Sequence, residues 1–204
     1  MKTVVLAATP QENVRRAAAV LREGGLVAFP TDTVYGLGAD AFSRAAVLRI
    51  YSAKGRPPNK AIAVLLPSAA DIGQVAERIS PEALRLAERF WPGPLTLVVP
   101  KNRRVPDAVA GATVGVRVPD HAVASALLHL SGPLAVTSAN LSGDVSPVTA
   151  AEALQQLDGR LELILDGGSS PGGIASTVVD CTQGDIVILR AGPLSREDLL
   201  EALR

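Results

Sequence analysis

Short apolar runs recur along the whole chain, and between most of them stand helical patterns whose first residues can be recognised. The runs cover residues 3–6, 26–30, 61–66, 95–99, 114–118, 134–136, 161–165, 177–179 and 186–189. Residues 26–30 read LVAFP, with no polar side chain, as in a strand covered on both faces. The helical patterns open with small polar residues that can accept from free N–H groups. Thr9 precedes Pro10 and Glu12 in a helix expected to run to about Glu23, Ser43 precedes RAAVLRIYSAK, and Ser80 with Pro81 opens a helix ending at Phe90. Thr149 with Glu152 and Ser195 with Asp198 have the spacing of capping boxes. This alternation predicts an α/β fold with helices packed on the sheet, and direct strand-to-strand passages towards the C-terminal end predict that the sheet is mixed. No repeat, linker or charge block interrupts it, so a single domain over 1–204 is expected, with residues 91–94 and 167–173 as loops inside it.

A chain of 204 residues, 48% of them hydrophobic and with a formal net charge of zero, can build its core without disulfides or a structural metal. Cys181 is the only cysteine and His121 and His129 are the only histidines, which removes a Cys/His zinc site and fits a reducing, cytoplasmic compartment. The N-terminal MKTVVLAATPQENVRR has no secretory pattern, and no apolar run reaches membrane-spanning length. Balanced charge and 3% aromatic residues count against a general nucleic-acid surface while leaving room for a local basic pocket.

Three stretches concentrate chemistry. Residues 30–40, PTDTVYGLGAD, bring two threonine hydroxyls, a carboxylate and two glycines to the end of a buried strand, the favoured crevice of an open α/β sheet. Taken alone, Asp32 and the threonines equally suit a turn that bonds its own backbone. Residues 53–60, AKGRPPNK, set Lys54 and Arg56 two apart ahead of two prolines; a point charge beside a planar fork suits a polyphosphate, and a solvated basic turn is the plain alternative. Residues 137–143, TSANLSG, supply small donors and acceptors for phosphate oxygens or a base, or else a helix cap. A serine nucleophile is disfavoured, because the GxSxG match lies in the loop at 168–172 and neither histidine stands in a triad context. Arg117 and Arg190 lie in apolar strand patterns and need an anionic partner, from the protein or a ligand. His121 reads as structural or exposed, and Trp91 as core.

In this order and spacing, PTDTVYGLG, KGRP, WPGPLTLV, VRVPDH, TSANLSG, STVVD and LRAGP resemble the YrdC-like family of threonylcarbamoyl-AMP synthases, over about residues 24–193. The resemblance implies a twisted mixed sheet with a deep, positively lined cavity. It also implies a nucleotidyltransferase that forms threonylcarbamoyl-AMP and pyrophosphate from L-threonine, bicarbonate or CO2, and ATP, for threonylcarbamoyladenosine modification of tRNA by separate transfer proteins. The family's KxR and SxN set falls on Lys54, Arg56, Ser138 and Asn140, with Lys54 and Arg56 as the catalytic charges. Further ATP contacts are implied at Thr113, Ser146 and Arg190, and threonine contacts at Thr31, Arg117 and Ser176, with Thr33 beside them. Long-form members carry a histidine in the strand after KxRP, where this chain has AIAVLL; the family's SPT triplet reads Ser146-Pro147-Val148; and the end at Arg204 matches a short form.

Adenylation of N-carboxythreonine builds charge on the phosphoryl oxygens and on departing pyrophosphate, which Lys54, Arg56 and Arg190 are expected to meet. With no cluster of metal-ligand residues, Mg2+ is expected to be held mainly through the triphosphate. Arg117 is expected to take the threonine carboxylate, and Ser176 or Thr31 its hydroxyl. Lys54 and Arg56 are expected in a loop, where truncation removes charge without opening the core. Two other readings share these residues: a non-catalytic RNA-binding module, and a carbamoyl-adenylating domain using carbamoyl phosphate.

Overall fold

Among the described residues ten strands hydrogen-bond into one sheet, and their order does not follow the chain. The computed structural model describes residues 2–183 and 185–204. The strands are β1 (Val4–Ala7), β2 (Val27–Phe29), β3 (Gly36–Asp40), β4 (Ala63–Leu65), β5 (Leu95–Pro100), β6 (Thr113–Arg117), β7 (Leu134–Ser138), β8 (Leu163–Asp166), β9 (Thr177–Asp180) and β10 (Val187–Arg190). The helices are α1 (Gln11–Arg22), α2 (Arg44–Lys54), α3 (Pro81–Phe90), α4 (Ala122–Ser131), α5 (Ala150–Leu157) and α6 (Arg196–Glu201), with a short 3-10 helix at Ala69–Gln74. Across the sheet the order is β1-β8-β2-β3-β7-β4-β6-β5-β9-β10. Parallel pairs are β1 with β8, β8 with β2, β4 with β6, and β5 with β9. The remaining neighbours are antiparallel. The sheet is mixed, as the direct strand-to-strand passages predict: β9 and β10 pair antiparallel towards the C-terminal end, and antiparallel pairing also runs through the middle of the sheet.

The period of two along each strand divides the core. Ala28, Ala135, Ile164, Leu97, Val99, Val114 and Val116 join the side chains of α2, α3 and α5 on one face. Val27, Phe29, Leu134, Leu163 and Leu165 join Val14, Leu21, Leu127 and Leu128 of α1 and α4 on the other. That second cluster occupies the part of the sheet around β8, β2 and β7. Further along the same face, the alternate residues of β6, β5 and β9 are left to line a cavity. No helix among the described residues is long and apolar enough to cross a membrane.

Ser43, Ser80 and Thr149 cap their helices through side-chain oxygens, and Ser195 with Asp198 forms a full capping box. Three sequence expectations need correction. Thr9 does not cap α1: Pro10 is extended (ψ 164°) and stands at the N-cap, so the helix begins at Gln11, with the Pro10 carbonyl accepting from Asn13 N. Only half the box at Thr149 forms, because Glu152 Oε2 accepts from Val148 N at 2.7 Å. Residues 36–40, read as part of a loop, form strand β3 between β2 and β7. The sheet demands its two glycines: a Cβ on Gly36 would stand 2.7 Å from Val136 Cγ1, and one on Gly38 2.9 Å from Phe29 Cε1.

Candidate functional site

Alternate residues of neighbouring strands converge on a cavity of about 480 Å³. Thr113, Gly115 and Arg117 of β6, Thr96 and Val98 of β5, Ala63 and Leu65 of β4, Val136 and Ser138 of β7, and Leu189 and Arg190 of β10 line it. Loops complete the wall with Thr31 and Thr33 between β2 and β3, Arg56 after α2, Ser146 before α5, and Ser176 before β9. Gly36 and Gly115 keep the floor low; a Cβ on Gly115 would press on Thr96 Cγ2 at 3.1 Å. On and just before β4 the wall is formed by the apolar Ala61, Ile62, Ala63 and Leu65.

Nine of the eleven residues singled out in the sequence lie on this wall: Thr31, Thr33, Arg56, Thr113, Arg117, Ser138, Ser146, Ser176 and Arg190. Lys54 and Asn140 stand behind it. Lys54 is the last residue of α2, not a loop residue, and is 2% exposed. Its ammonium donates to Ser138 O at 2.6 Å and to Asn140 O, while its own carbonyl accepts from Ser142 N at 2.9 Å. Asn140 Nδ2 donates to Leu141 O and Asp144 O at 2.7 and 2.8 Å. The two residues thus fasten the TSANLSG segment from within, and truncating Lys54 would open the core, against the sequence expectation. Arg56 remains beside the cavity, with Nε donating to Lys60 O (3.2 Å) and Nη2 to Ala61 O (2.8 Å).

The charges are unevenly compensated. Arg117 is buried and donates through Nη2 to Asp32 Oδ1 at 2.5 Å, through Nη1 to Thr33 Oγ1 at 3.0 Å and through Nε to Gly93 O at 2.9 Å. Among the described residues Lys54, Arg56 and Arg190 have no carboxylate at ion-pair distance. Burial pushes the Lys54 ammonium down to about 8, with the charge of Arg56 adding to the shift. Burial likewise lowers Arg56 and Arg190, and the charge of Arg117 pushes Arg190 further down. Three cations held in partly desolvated positions without counter-charges favour an anion that arrives from solution. Arg190 also donates to Ser176 O and Oγ, and Ser176 Oγ lies 2.8 Å from Thr96 Oγ1.

Sequence reasoning missed two residues here. Asp32, read as a turn former, is the counter-ion of Arg117 and also accepts from Asp120 N at 3.1 Å. Thr96 on β5 went unnoticed, although a single hydroxyl in the apolar run LTLVV is a signal. His121 caps α4 by accepting from Val123 N, and Trp91 is core, with Nε1 donating to Leu95 O. No group of three or more His, Cys, Asp or Glu side chains able to hold a metal occurs among the described residues.

The sequence profile of the Sua5/YciO/YrdC family, described as telomere recombination, matches residues 19–192. The chain belongs to this family. Within it, the chain is 47% identical to the threonylcarbamoyl-AMP synthase of Pyrococcus abyssi, over 91% of its own length and 56% of that relative. It is 45% identical to the threonylcarbamoyl-AMP synthase of Bacillus subtilis, over 94% of its own length and again 56% of the relative. The chain therefore spans about half the length of these two relatives. The fold superposes with a TM-score of 0.95 on the crystal structure of P. abyssi Sua5 complexed with L-threonine, at 43% identity, covering 98% of this chain and 61% of that one.

Proposed function

We propose that this member of the Sua5/YciO/YrdC family forms threonylcarbamoyl-AMP and pyrophosphate from L-threonine, bicarbonate or CO2, and ATP, for later transfer to tRNA by other proteins, and that residues 1–204 act as one catalytic unit. The observation that carries this reading is the cavity wall, where Arg56 and Arg190, neither with a carboxylate partner among the described residues, stand among neutral hydroxyls. Its relatives in P. abyssi and B. subtilis bear the name of this activity, and P. abyssi Sua5 has been crystallised in complex with L-threonine.

In this reading Arg56 and Arg190 meet the charge that builds on the phosphoryl oxygens as the carboxylate oxygen of N-carboxythreonine attacks the α-phosphate and pyrophosphate departs. Lys54 adds its charge from one layer behind and holds Ser138 on the wall. Thr113, Ser138 and Ser146 supply neutral contacts to the nucleotide, while Asn140 keeps their loop in shape. Arg117, fixed by Asp32 and Gly93, takes the amino-acid carboxylate, with Thr31, Thr33 and Ser176 around the rest of that ligand. The wall offers no carboxylate, so Mg2+ brought with the nucleotide is held through the triphosphate. The reaction would take place in the cytoplasm. The test is pyrophosphate release from ATP with each amino acid, with and without bicarbonate. Release that needs both threonine and bicarbonate is expected, and threonine-independent release overturns the assignment.

A further inference from the structure

The two margins of the sheet are guarded differently. Strand β10 ends on the charged Arg190 and shifts register between Ile188 and Arg190, both of which spoil an edge for further pairing. Strand β1 pairs only with β8, without a register shift, and residues 3–8, TVVLAA, carry neither charge nor proline. Its Val4 and Val5 are 44% and 42% exposed. The direction of each backbone group on β1 follows from its bonds. Val4 N donates to Glu162 O at 3.0 Å and Ala8 N to Asp166 O at 2.7 Å, in the parallel register that sets Val4 against Leu163. Val4, Leu6 and Ala8 therefore face β8, and Thr3, Val5 and Ala7 turn one N–H and one C=O each outwards. Two of those groups are taken within the chain: Thr3 N donates to Asp158 Oδ1 at 3.3 Å, and Ala7 O accepts from Asn13 Nδ2 at 2.9 Å. The other four, Thr3 O, Val5 N, Val5 O and Ala7 N, have no partner among the described residues.

That remainder is complementary to itself. With a second copy laid antiparallel about a two-fold axis at Val5, each Val5 N–H meets Val5 O of the partner subunit, and each Ala7 N–H meets Thr3 O of the partner subunit. The contacts that would complete the ladder, Thr3 N to Ala7 O, use the two groups that Asp158 and Asn13 already satisfy. A strand of unrelated sequence has no reason to leave the same two groups unpaired. Side chains agree with the backbone, because opposite residues share a face. Val5 stands against Val5 of the partner subunit on one face, and Val4 against Leu6 of the partner subunit on the other. On that second face Val4, Ala19, Val20 and Leu163 border an open trough of about 410 Å³, which the copy covers. We propose that two copies of this chain pair edge to edge along β1, antiparallel about Val5, in one sheet continuous through both. The functional cavity lies towards the other margin, so pairing leaves it open, and the proposal stands apart from the synthase reading.

Sedimentation velocity of the full chain over a concentration series reads the mass directly. An equilibrium that ends at twice the mass of one chain is expected, and hydrogen exchange at the Val5 and Ala7 amides should slow as the dimer fills. Val5→Pro deletes an N–H that bonds nothing within the chain, at an edge position that suits proline. Both central bonds are lost with it, so dimerisation should weaken about thirtyfold, the worth of two net hydrogen bonds. Val5→Lys keeps the backbone donor but sets like charges opposite each other across the axis, and should weaken dimerisation at least about threefold. It decides the matter should Val5→Pro fail to fold. Val187→Lys, on the other margin, should leave the dimer unchanged. A single-chain mass at every concentration overturns the proposal, as it would if the edge served a strand of some other protein. Association that continues beyond two copies overturns it too, because a two-fold pair leaves β1 no free edge. So does a dimer as tight in Val5→Lys as in the parent, or one in which the Val5 and Ala7 amides exchange as fast as in the single chain, since the copies then meet through another surface.

Discussion

Replacing Lys54 tests stability as much as activity. Lys54→Ala strips the donors from two carbonyls, Ser138 O and Asn140 O, at a residue only 2% exposed. Leaving a buried acceptor unpaired costs roughly 1–3 kcal/mol, so about 2–6 kcal/mol for the two, before the void left by the stem is counted. Against this stands the desolvated charge: a pKa of about 8 in place of 10.5 corresponds to about 3 kcal/mol of penalty removed with the ammonium. With roughly 2 kcal/mol more for the void, the mid-range balance is a net loss of about 3 kcal/mol for Lys54→Ala at pH 7, and about 1 kcal/mol for Lys54→Met, which fills the space. The sign of the pH dependence follows from the same value. Because the folded pKa lies below the unfolded one, the penalty is fully present below pH 8 and is relieved as pH rises from 8 towards 10.5. The parent protein should therefore gain stability relative to Lys54→Met across that window. Urea unfolding followed by the fluorescence of Trp91, the only tryptophan, measures both effects. Lys54→Ala as stable as the parent at pH 7, or parallel pH curves for the parent and Lys54→Met, would refute the reasoning.

Arg56→Ala should behave oppositely: among the described residues its guanidinium hydrogen-bonds only the carbonyls of Lys60 and Ala61, so melting should hardly move. Pyrophosphate release should fall about 10²–10³-fold if Arg56 meets transition-state charge. Asp32→Asn leaves the buried Arg117 guanidinium without a counter-charge and should cost about 3–5 kcal/mol in urea unfolding, with a higher Michaelis constant for threonine.

The α/β class was readable because most helices open on a recognisable cap, as at Ser43, Ser80, Thr149 and Ser195, and most strands are short and apolar. Strand β3 was not, because GLGAD carries none of the β-branched residues that mark a strand. Its glycines answer to crowding by Val136 and Phe29, which are neighbours only once the sheet exists. Within the candidate site, residues that cluster in sequence were visible as motifs. The pairing of Asp32 with Arg117 was not, since it depends on the β2–β3 turn meeting the end of β6 across the sheet. Lys54 misled for a different reason. Charge next to glycine and proline suggests a solvated turn, but α2 continues to Lys54, which is buried on it, and the chain turns only at Gly55, in the left-handed region (φ 59°).

Strand β10 forms the margin of the sheet, paired only with β9, and Val187 and Leu189 are 54% and 57% exposed. Yet Arg190, one of the cations facing the cavity without a carboxylate, is carried on it. Marginal strands open at lower free energy than the core. An anion that needs Arg190 binds only the docked form, so its apparent dissociation constant is the intrinsic one divided by the docked fraction. Occupancy of the cavity and adhesion of the last strand are consequently one equilibrium: the ligand acts as the rivet of an edge that strand pairing secures on a single side.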